Sequence, residues 1–397
     1  MIVRIFAILK KLKSIPVTLI AFMALTVMMA SCTGSTSNHE KSGNMDWKLF
    51  RGNAGLSGYS SQQLPENPVL LWSYNGGART VSSPVIDNGT TYWCDKRGLI
   101  KGVDLSGKLT FEYKLNTAVE ATPMIHDSIL YIGRIDGKMT ALSLASKDTI
   151  WNYETMGQIS ASPNLGDFQQ QQVIVFGSYD NNFYCIDSHS GKAINQFESG
   201  YYINGAAVLW KSSVLFGGCD SWLRVIDCQT GMPTDSLMLD AYIPASPAVM
   251  GNFCYVSDYT GNIYEIELEN GKISRSRKMV TASSDNGSMV SVPALDPENL
   301  YYLADEQYLC SVDRRKGTQN WKFLLKGNTG ESSPLVCNDK IIVCTKSGII
   351  SIHESATGNQ LWEYDTGEQI VGSPAVIDGH FMILTAKGTL FCFGEKN

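Results

Sequence analysis

The sequence predicts an all-β fold, an eight-bladed β-propeller of four-stranded blades closed by pairing of an N-terminal strand with the C-terminal blade. Three observations predict it. A unit of about 40 residues recurs eight times, the period of propeller blades. Its anchors are Pro84, Pro123, Pro163, Pro247, Pro293, Pro334 and Pro374, with Ala207 in place of the fourth proline, and successive spacings are 39, 40, 44, 40, 46, 41 and 40 residues. Each unit holds four short apolar runs rich in Val, Ile, Tyr and Phe, punctuated by Gly, Asp, Asn and Ser. The two ends of the array also complement each other. Val69 to Tyr74 is a fourth-strand run with no unit before it, and Ser373 to Phe393 is a three-strand set with no fourth strand after it. Pairing them closes a ring and leaves no half-blade exposed.

Taken in order, the chain opens on a targeting segment. Arg4, Lys10, Lys11 and Lys13 form a basic leader, and Ile15 to Ala30 is an apolar run short for a spanning helix. It ends in Met29-Ala30-Ser31-Cys32, which resembles the bacterial lipobox, where the cysteine is lipidated. Residues 1–31 are therefore expected to be a lipoprotein signal peptide and Cys32 the lipidation site, anchoring the chain to a membrane without spanning it. Residues 32–46 are polar and unpatterned and read as a flexible tether. Residues 47–397 are assigned to the propeller.

Within the repeats, fourth-strand runs centre near Trp72, Phe111, Trp151, Phe197, Leu237, Ser274, Trp321 and Trp362. Trp72, Phe111, Trp151, Trp321 and Trp362 share one repeat position. A large ring there is expected to dock on the neighbouring blade, contributing roughly 2–3 kcal/mol by burial. The blades with Phe197, Leu237 and Ser274 lack the indole and are expected to pack less regularly. Gly-containing turns such as Ser190-Gly191-Lys192 and Thr357-Gly358 supply the positive φ that tight hairpins need.

A net charge of −6 argues against a nucleic-acid partner. Beyond the leader, basic residues cluster only at Arg275, Arg277 and Lys278 and at Arg314-Arg315-Lys316, which read as solvated turns. Nine cysteines follow Cys32, mostly inside apolar runs, and read as small buried apolar residues. Cys219 and Cys228 flank one strand and are candidates for a single disulfide. The five histidines show no metal-ligand spacing and read as turn or strand-end residues.

The run Ile352 to Tyr364, with its Ala356-Thr357-Gly358 turn and Leu361-Trp362-Glu363-Tyr364 strand, resembles the repeat of quinoprotein-type propellers. So does the lead-in Trp47-Lys48-Leu49-Phe50-Arg51-Gly52 with Gly55 and Gly58. The resemblance covers residues 47 to 394. It embraces pyrroloquinoline-quinone (PQQ) dehydrogenases and non-enzymatic lipoproteins similar to BamB of the outer-membrane barrel-assembly machinery. The enzymes' pattern implies a Glu and an Asn holding Ca²⁺, an Asp base, and often a disulfide of adjacent cysteines. Three residues before each anchor, this chain has Val81, Glu120, Ser160, Asn204, Pro244, Val290, Glu331 and Val371. Glu120 and Asn204, two blades apart, echo the calcium pair and are a weak candidate for a divalent cation. The base position falls on Pro244, and there is neither an adjacent Cys pair nor a Cys-x-x-Cys-His haem site. No catalytic residue, no quinone and no Ca²⁺ cofactor are expected. Glu120, Asn204 and Glu331 read as polar residues of the channel mouth.

Three function classes follow. The first is a non-catalytic, membrane-anchored scaffold in the bacterial cell envelope, at the outer membrane, monomeric and binding an envelope protein partner as BamB-like proteins do. The second is a glycan- or ligand-binding surface lipoprotein, motivated by Trp93, Trp210, Trp222, Tyr201 and Tyr202. The third is a PQQ- and calcium-dependent alcohol or sugar dehydrogenase.

Overall fold

The computed structural model describes residues 46–168, 170–282 and 290–396. The expected signal peptide and Cys32, and the tether apart from Asp46, lie outside the described residues. Among the described residues the regular structure is strand only. Eight blades of four antiparallel strands follow one another, one of them with a fifth strand added, each built on one anchor, so blade 1 starts at Pro84 and blade 8 at Pro374. Blade 5 shows the pattern: Ala248–Met250, Phe253–Ser257, Ile263–Glu269 and Lys272–Val280, each strand paired with the next.

Burial follows the position of a strand in its blade. Innermost and second strands are covered on both faces, as in Leu335–Cys337 and Lys340–Cys344, where every residue is buried. Fourth strands alternate, as in Gln319–Leu324, because only one face meets a neighbour. The apolar cores lie between blades; one cluster joins Val208, Leu215 and Val225 of blade 4 to Cys254, Val256 and Ile266 of blade 5.

The ring closes as the sequence requires. Val69–Asn75 pairs antiparallel with Thr389–Gly394, setting Trp72 opposite Cys392 and Asn75 opposite Thr389. This completes blade 8.

A polar ring then circles the axis. The residue before each anchor donates its backbone N–H to a hydroxyl of the next blade: Ser83 to Thr122 Oγ1 at 2.9 Å, Thr122 to Ser162 Oγ at 3.1 Å, and Ala206 to Ser246 Oγ at 2.8 Å. Val292 to Ser333 Oγ at 2.9 Å, Ser333 to Ser373 Oγ at 3.1 Å and Ser373 to Ser83 Oγ at 2.9 Å continue it. The ring is broken only where the acceptor would be Ala206 or Val292, which carry no hydroxyl.

The lead-in is not a peripheral strand. It crosses the axis and offers its carbonyls to the blades in order. Ile86 and Ile125 donate to Trp47 and Lys48 O, Leu209 and Val249 to Ala54 and Gly55 O, and Leu295 and Val336 to Ser57 and Gly58 O, at 2.7 to 3.0 Å. In blade 3 the side chain of Asn164 reaches Ala54 O instead, at 2.9 Å. Tyr59–Ser60 then pairs parallel with Leu335–Cys337, giving blade 7 a fifth strand. Arg51 is fully buried at the centre of this plug. It donates Nη1 to Pro334 O, Nη2 to Pro293 O at 2.9 Å, and Nε to Leu56 O at 3.4 Å. Burial pulls its pKa down to about 9, so it stays charged at neutral pH. Gly58 (φ 61°) is required beside it, because an added Cβ would lie 2.1 Å from the guanidinium.

Three expectations are corrected. Cys219 and Cys228 are both free. The strand between them, Trp222–Asp227, spans roughly 20 Å at about 3.3 Å per residue, far beyond disulfide reach. Instead the neighbouring Cys185 thiol and burial push the Cys228 thiol up. His353 is not a surface histidine: it is fully buried in Ile349–Glu354, bonded to Ser351 Oγ at 2.8 Å and Gly358 O at 3.0 Å. Trp93 and Trp210 are buried between strands, which removes them as ligand platforms.

Two substitutions test this frame by urea unfolding. Ser333→Ala strands the buried Val292 N–H and is expected to cost about 1–3 kcal/mol. Arg51→Met strands the carbonyls of Pro293 and Pro334 and is expected to cost more, about 3–5 kcal/mol. A loss below about 0.5 kcal/mol in either would remove that bond from the frame.

Candidate functional site: the channel mouth

The eight positions three residues before the anchors line one cavity of about 390 Å³, whose wall also includes Phe50 of the plug. They converge because each anchor begins an innermost strand, and innermost strands face the axis. The cavity is therefore blind, with its mouth at the end where second strands finish. Glu120 Oε1 pairs with Lys96 Nζ at 2.8 Å. Asn204 Oδ1 accepts from the Tyr179 hydroxyl, which burial pushes up and keeps protonated. Glu331 is exposed and has no ion-pair partner among the described residues. Pro244, Ala245 and Ser246 occupy the stretch where a dehydrogenase's base is implied.

The residues do not suit the Ca²⁺–quinone group. Glu120 Oε1 is engaged by an ammonium and Asn204 Oδ1 by a phenol, so a cation there would compete with both. No group of three His, Cys, Asp or Glu among the described residues has metal-binding geometry.

The rim carries a feature that residue-by-residue reading missed. Tyr179 stacks on Tyr202 at 5.1 Å, Tyr201 leans on Tyr202 at 4.7 Å, and Tyr242 stacks on Tyr259 at 4.4 Å. Tyr201, Tyr202, Tyr242 and Tyr259 remain exposed. Cys219 N–H donates to Tyr202 O, and Tyr259 N–H to Tyr242 O, so these turns are structurally equivalent across blades 4 and 5. The signal was present: Tyr179, Cys219 and Tyr259 stand one repeat apart, as do Tyr202 and Tyr242.

The predicted docking residues sit at blade interfaces. Trp72 Nε1 donates to Leu105 O at 2.8 Å, Trp151 to Ser188 O at 2.9 Å and Trp321 to Ser355 O at 3.0 Å, each on the next blade. Gly191 lets the chain pass under Trp151; a Cβ there would lie 2.5 Å from the ring. Phe111 is buried beneath Lys147, and Trp362 meets Phe381 and Phe393 edge-on. In blades 3, 4 and 5 strand register gives the position to Asn195, Asp235 and Arg277, opposite Cys185, Val225 and Glu265, and not to Phe197, Leu237 and Ser274. Phe197 and Leu237 lie two residues further on. Blade 5 also turns on the two-residue hairpin Asn270-Gly271, tighter than its neighbours, which shifts the count.

Comparison with known proteins decides the family. The model of the family described as outer membrane protein assembly factor BamB matches residues 41–277 and 305–397. The chain belongs to this family. It is similar to the assembly factor BamB of Shewanella oneidensis, 22% identical over 284 residues, which are 66% of this chain and 67% of that one. Across three such factors the matched stretches span 41% to 67% of the relatives' lengths. Among solved structures, BamB from Moraxella catarrhalis aligns with a TM-score of 0.68 at 17% identity, covering 83% of this chain and 98% of that one. A europium-containing methanol dehydrogenase aligns with a TM-score of 0.73 at 12% identity, covering 88% and 98%. These structural likenesses show the eight-bladed fold.

Because the mouth residues are solvated, Glu120→Ala, Asn204→Ala and Glu331→Ala are each expected to shift unfolding free energy by no more than about 0.5 kcal/mol. Differential scanning calorimetry checks this; a larger loss would make the mouth part of the structural frame.

Proposed function

We propose that this chain is a non-catalytic scaffold of the bacterial cell envelope that supports outer-membrane protein assembly by binding a protein partner. The observation that carries the reading is the family match along nearly the whole propeller. The mouth supports it: Pro244 takes the place of the implied base, and Lys96 neutralises Glu120. Cys32, lipidated, would tether a monomeric propeller to the outer membrane, and the rigid ring would display its turns to the partner. Quinone and Ca²⁺ play no part in this reading.

A second reading rests on the tyrosine arc. Exposed, mutually stacked rings beside a polar cavity suit the apolar faces of a sugar, which favours a glycan-binding surface lipoprotein.

Mild cross-linking in membranes with tagged full-length protein, followed by mass spectrometry, separates these readings. Recovery of barrel-assembly components is expected. Recovery of glycan-uptake proteins instead, together with array binding lost in Tyr202→Ala, would replace the assembly role by the second reading. Alcohol-dependent dye reduction on adding quinone and Ca²⁺ would overturn both.

A further inference from the structure

The two basic runs that read as separate solvated turns meet in space. Arg275 and Arg277 of blade 5 and Arg314 and Arg315 of blade 6 line one groove of about 660 Å³. It shares no residue with the mouth cavity. The turns that border it, Met250–Phe253 of blade 5 and Arg314–Arg315 of blade 6, follow first and third strands. Antiparallel pairing puts those turns at the opposite end of the blades from the tyrosine rim, which follows second strands.

One docking-position residue sets the chemistry of the groove. Arg277 holds the docking position that is Trp321 in blade 6, and its Nη2 donates to Arg314 O at 2.8 Å, as Trp321 Nε1 donates to Ser355 O. A guanidinium fills less of the interface than an indole and brings charge into it. One carboxylate then serves Arg277 directly and the buried Arg314 only through the Tyr255 hydroxyl. Arg277 Nε contacts Glu265 Oε1 at 2.7 Å, Tyr255 OH donates to Glu265 Oε2 at 2.8 Å, and Arg314 Nε donates to Tyr255 OH at 3.0 Å. Arg314 is 8% exposed, yet its remaining partners are the neutral Asp296 O, Met250 O and Met250 Sδ. A buried cation without a carboxylate of its own is costly unless an anion reaches it. At the lip, Arg275 and Arg315 are exposed and make no ion pair among the described residues. Among the described residues Glu265 and Glu267 are the only carboxylates in the lining, against four guanidinium groups.

We propose that this groove binds an extended acidic peptide segment of a partner protein. Arg275 and Arg277 are alternate residues on one strand, so their side chains stand roughly 6.5 Å apart along one face. Acidic side chains at alternate positions of an extended segment repeat at the same distance, and the exposed Arg275 and Arg315, which make no ion pair among the described residues, can each hold a carboxylate with two parallel bonds. Met250, Phe253 and Pro297 give the intervening side chains an apolar wall. The surface is a different one from the mouth and does not depend on the assembly role.

The test is fluorescence anisotropy with the full-length chain in nonionic detergent. The probe is a fluorescein-labelled dodecapeptide with a repeated Leu-Glu core, and its twin carries Gln for Glu. The Glu peptide is expected to bind and the Gln peptide not to. Binding is expected to weaken about tenfold or more in the double variant Arg275→Glu, Arg315→Glu and to fall as salt rises. Both substituted residues are exposed, and an unchanged near-ultraviolet circular dichroism spectrum verifies the fold. The variant Arg275→Lys, Arg315→Lys is expected to retain part of the affinity. Equal binding of the two peptides, no binding of either, or full affinity in the charge-reversed variant overturns the proposal. So does saturable binding of short-chain phosphatidylglycerol with no response to the peptide, which would assign the groove to a lipid headgroup.

Discussion

Closure of the ring by Val69–Asn75 on Thr389–Gly394 is the interaction on which the rest depends. A four-stranded blade has two apolar faces and only its neighbours can cover them, so an open array leaves two faces in water. Once the ends pair, blade 8 covers blade 1, and the last link of the polar ring, Ser373 N–H to Ser83 Oγ, can form. Those six hydroxyl contacts satisfy backbone donors of residues that are largely buried where the blades crowd around the axis. The plug completes the arrangement from the other side of the axis. Innermost strands carry N–H groups that no strand of their own blade takes up, and carbonyls of residues 47–58 meet them in blade order. Arg51 is the pin: its guanidinium turns two anchor-proline carbonyls into partners and keeps the plug from acting as a loose strand.

The blade interfaces divide into two kinds. Blades 6, 7, 8 and 1 dock through aromatic residues, and so does blade 2, with a tryptophan N–H reaching a carbonyl of the next blade in three of these five. Blades 3, 4 and 5 carry Asn195, Asp235 and Arg277 at that position. A hydrogen bond to the next blade's backbone persists in all three: Asn195 Nδ2 donates to Cys228 O at 2.7 Å, Arg277 donates to Arg314 O, and Asp235 Oδ2 accepts from Ile273 N–H at 3.0 Å. What is lost is apolar area, and what is gained is polarity on one side of the ring. The same three blades bear the tyrosine rim at the opposite end, so this arc differs from the rest of the molecule on both of its faces.

The mouth shows how one frame serves different chemistry. The ring position before each anchor is presented to the axis whatever residue stands there. The enzymes' pattern implies a carboxylate and an amide as ligands with a base beside them; here a lysine holds the carboxylate, a tyrosine holds the amide and proline takes the third place. Fold likeness to a methanol dehydrogenase carries no chemistry with it, because chemistry resides in the site and not in the ring.

The repeat by itself determined the blade count, the closing strand and the eight residues that face one cavity. These are consequences of backbone periodicity, and the spacing of anchors and turns records it. It also placed Trp72, Trp151 and Trp321, because a large ring at one register position marks a shared neighbour. Only the tertiary structure decided what Arg51, Ser333, His353, Cys228 and Arg314 touch. The Arg51–Pro334 contact joins residues 283 apart, and the basic runs at 275 and 314 meet only because consecutive blades lie side by side. Local pattern distinguishes buried from exposed faces; it carries no record of which distant carbonyl or carboxylate completes a polar group, and at those positions the interfaces of this protein are set.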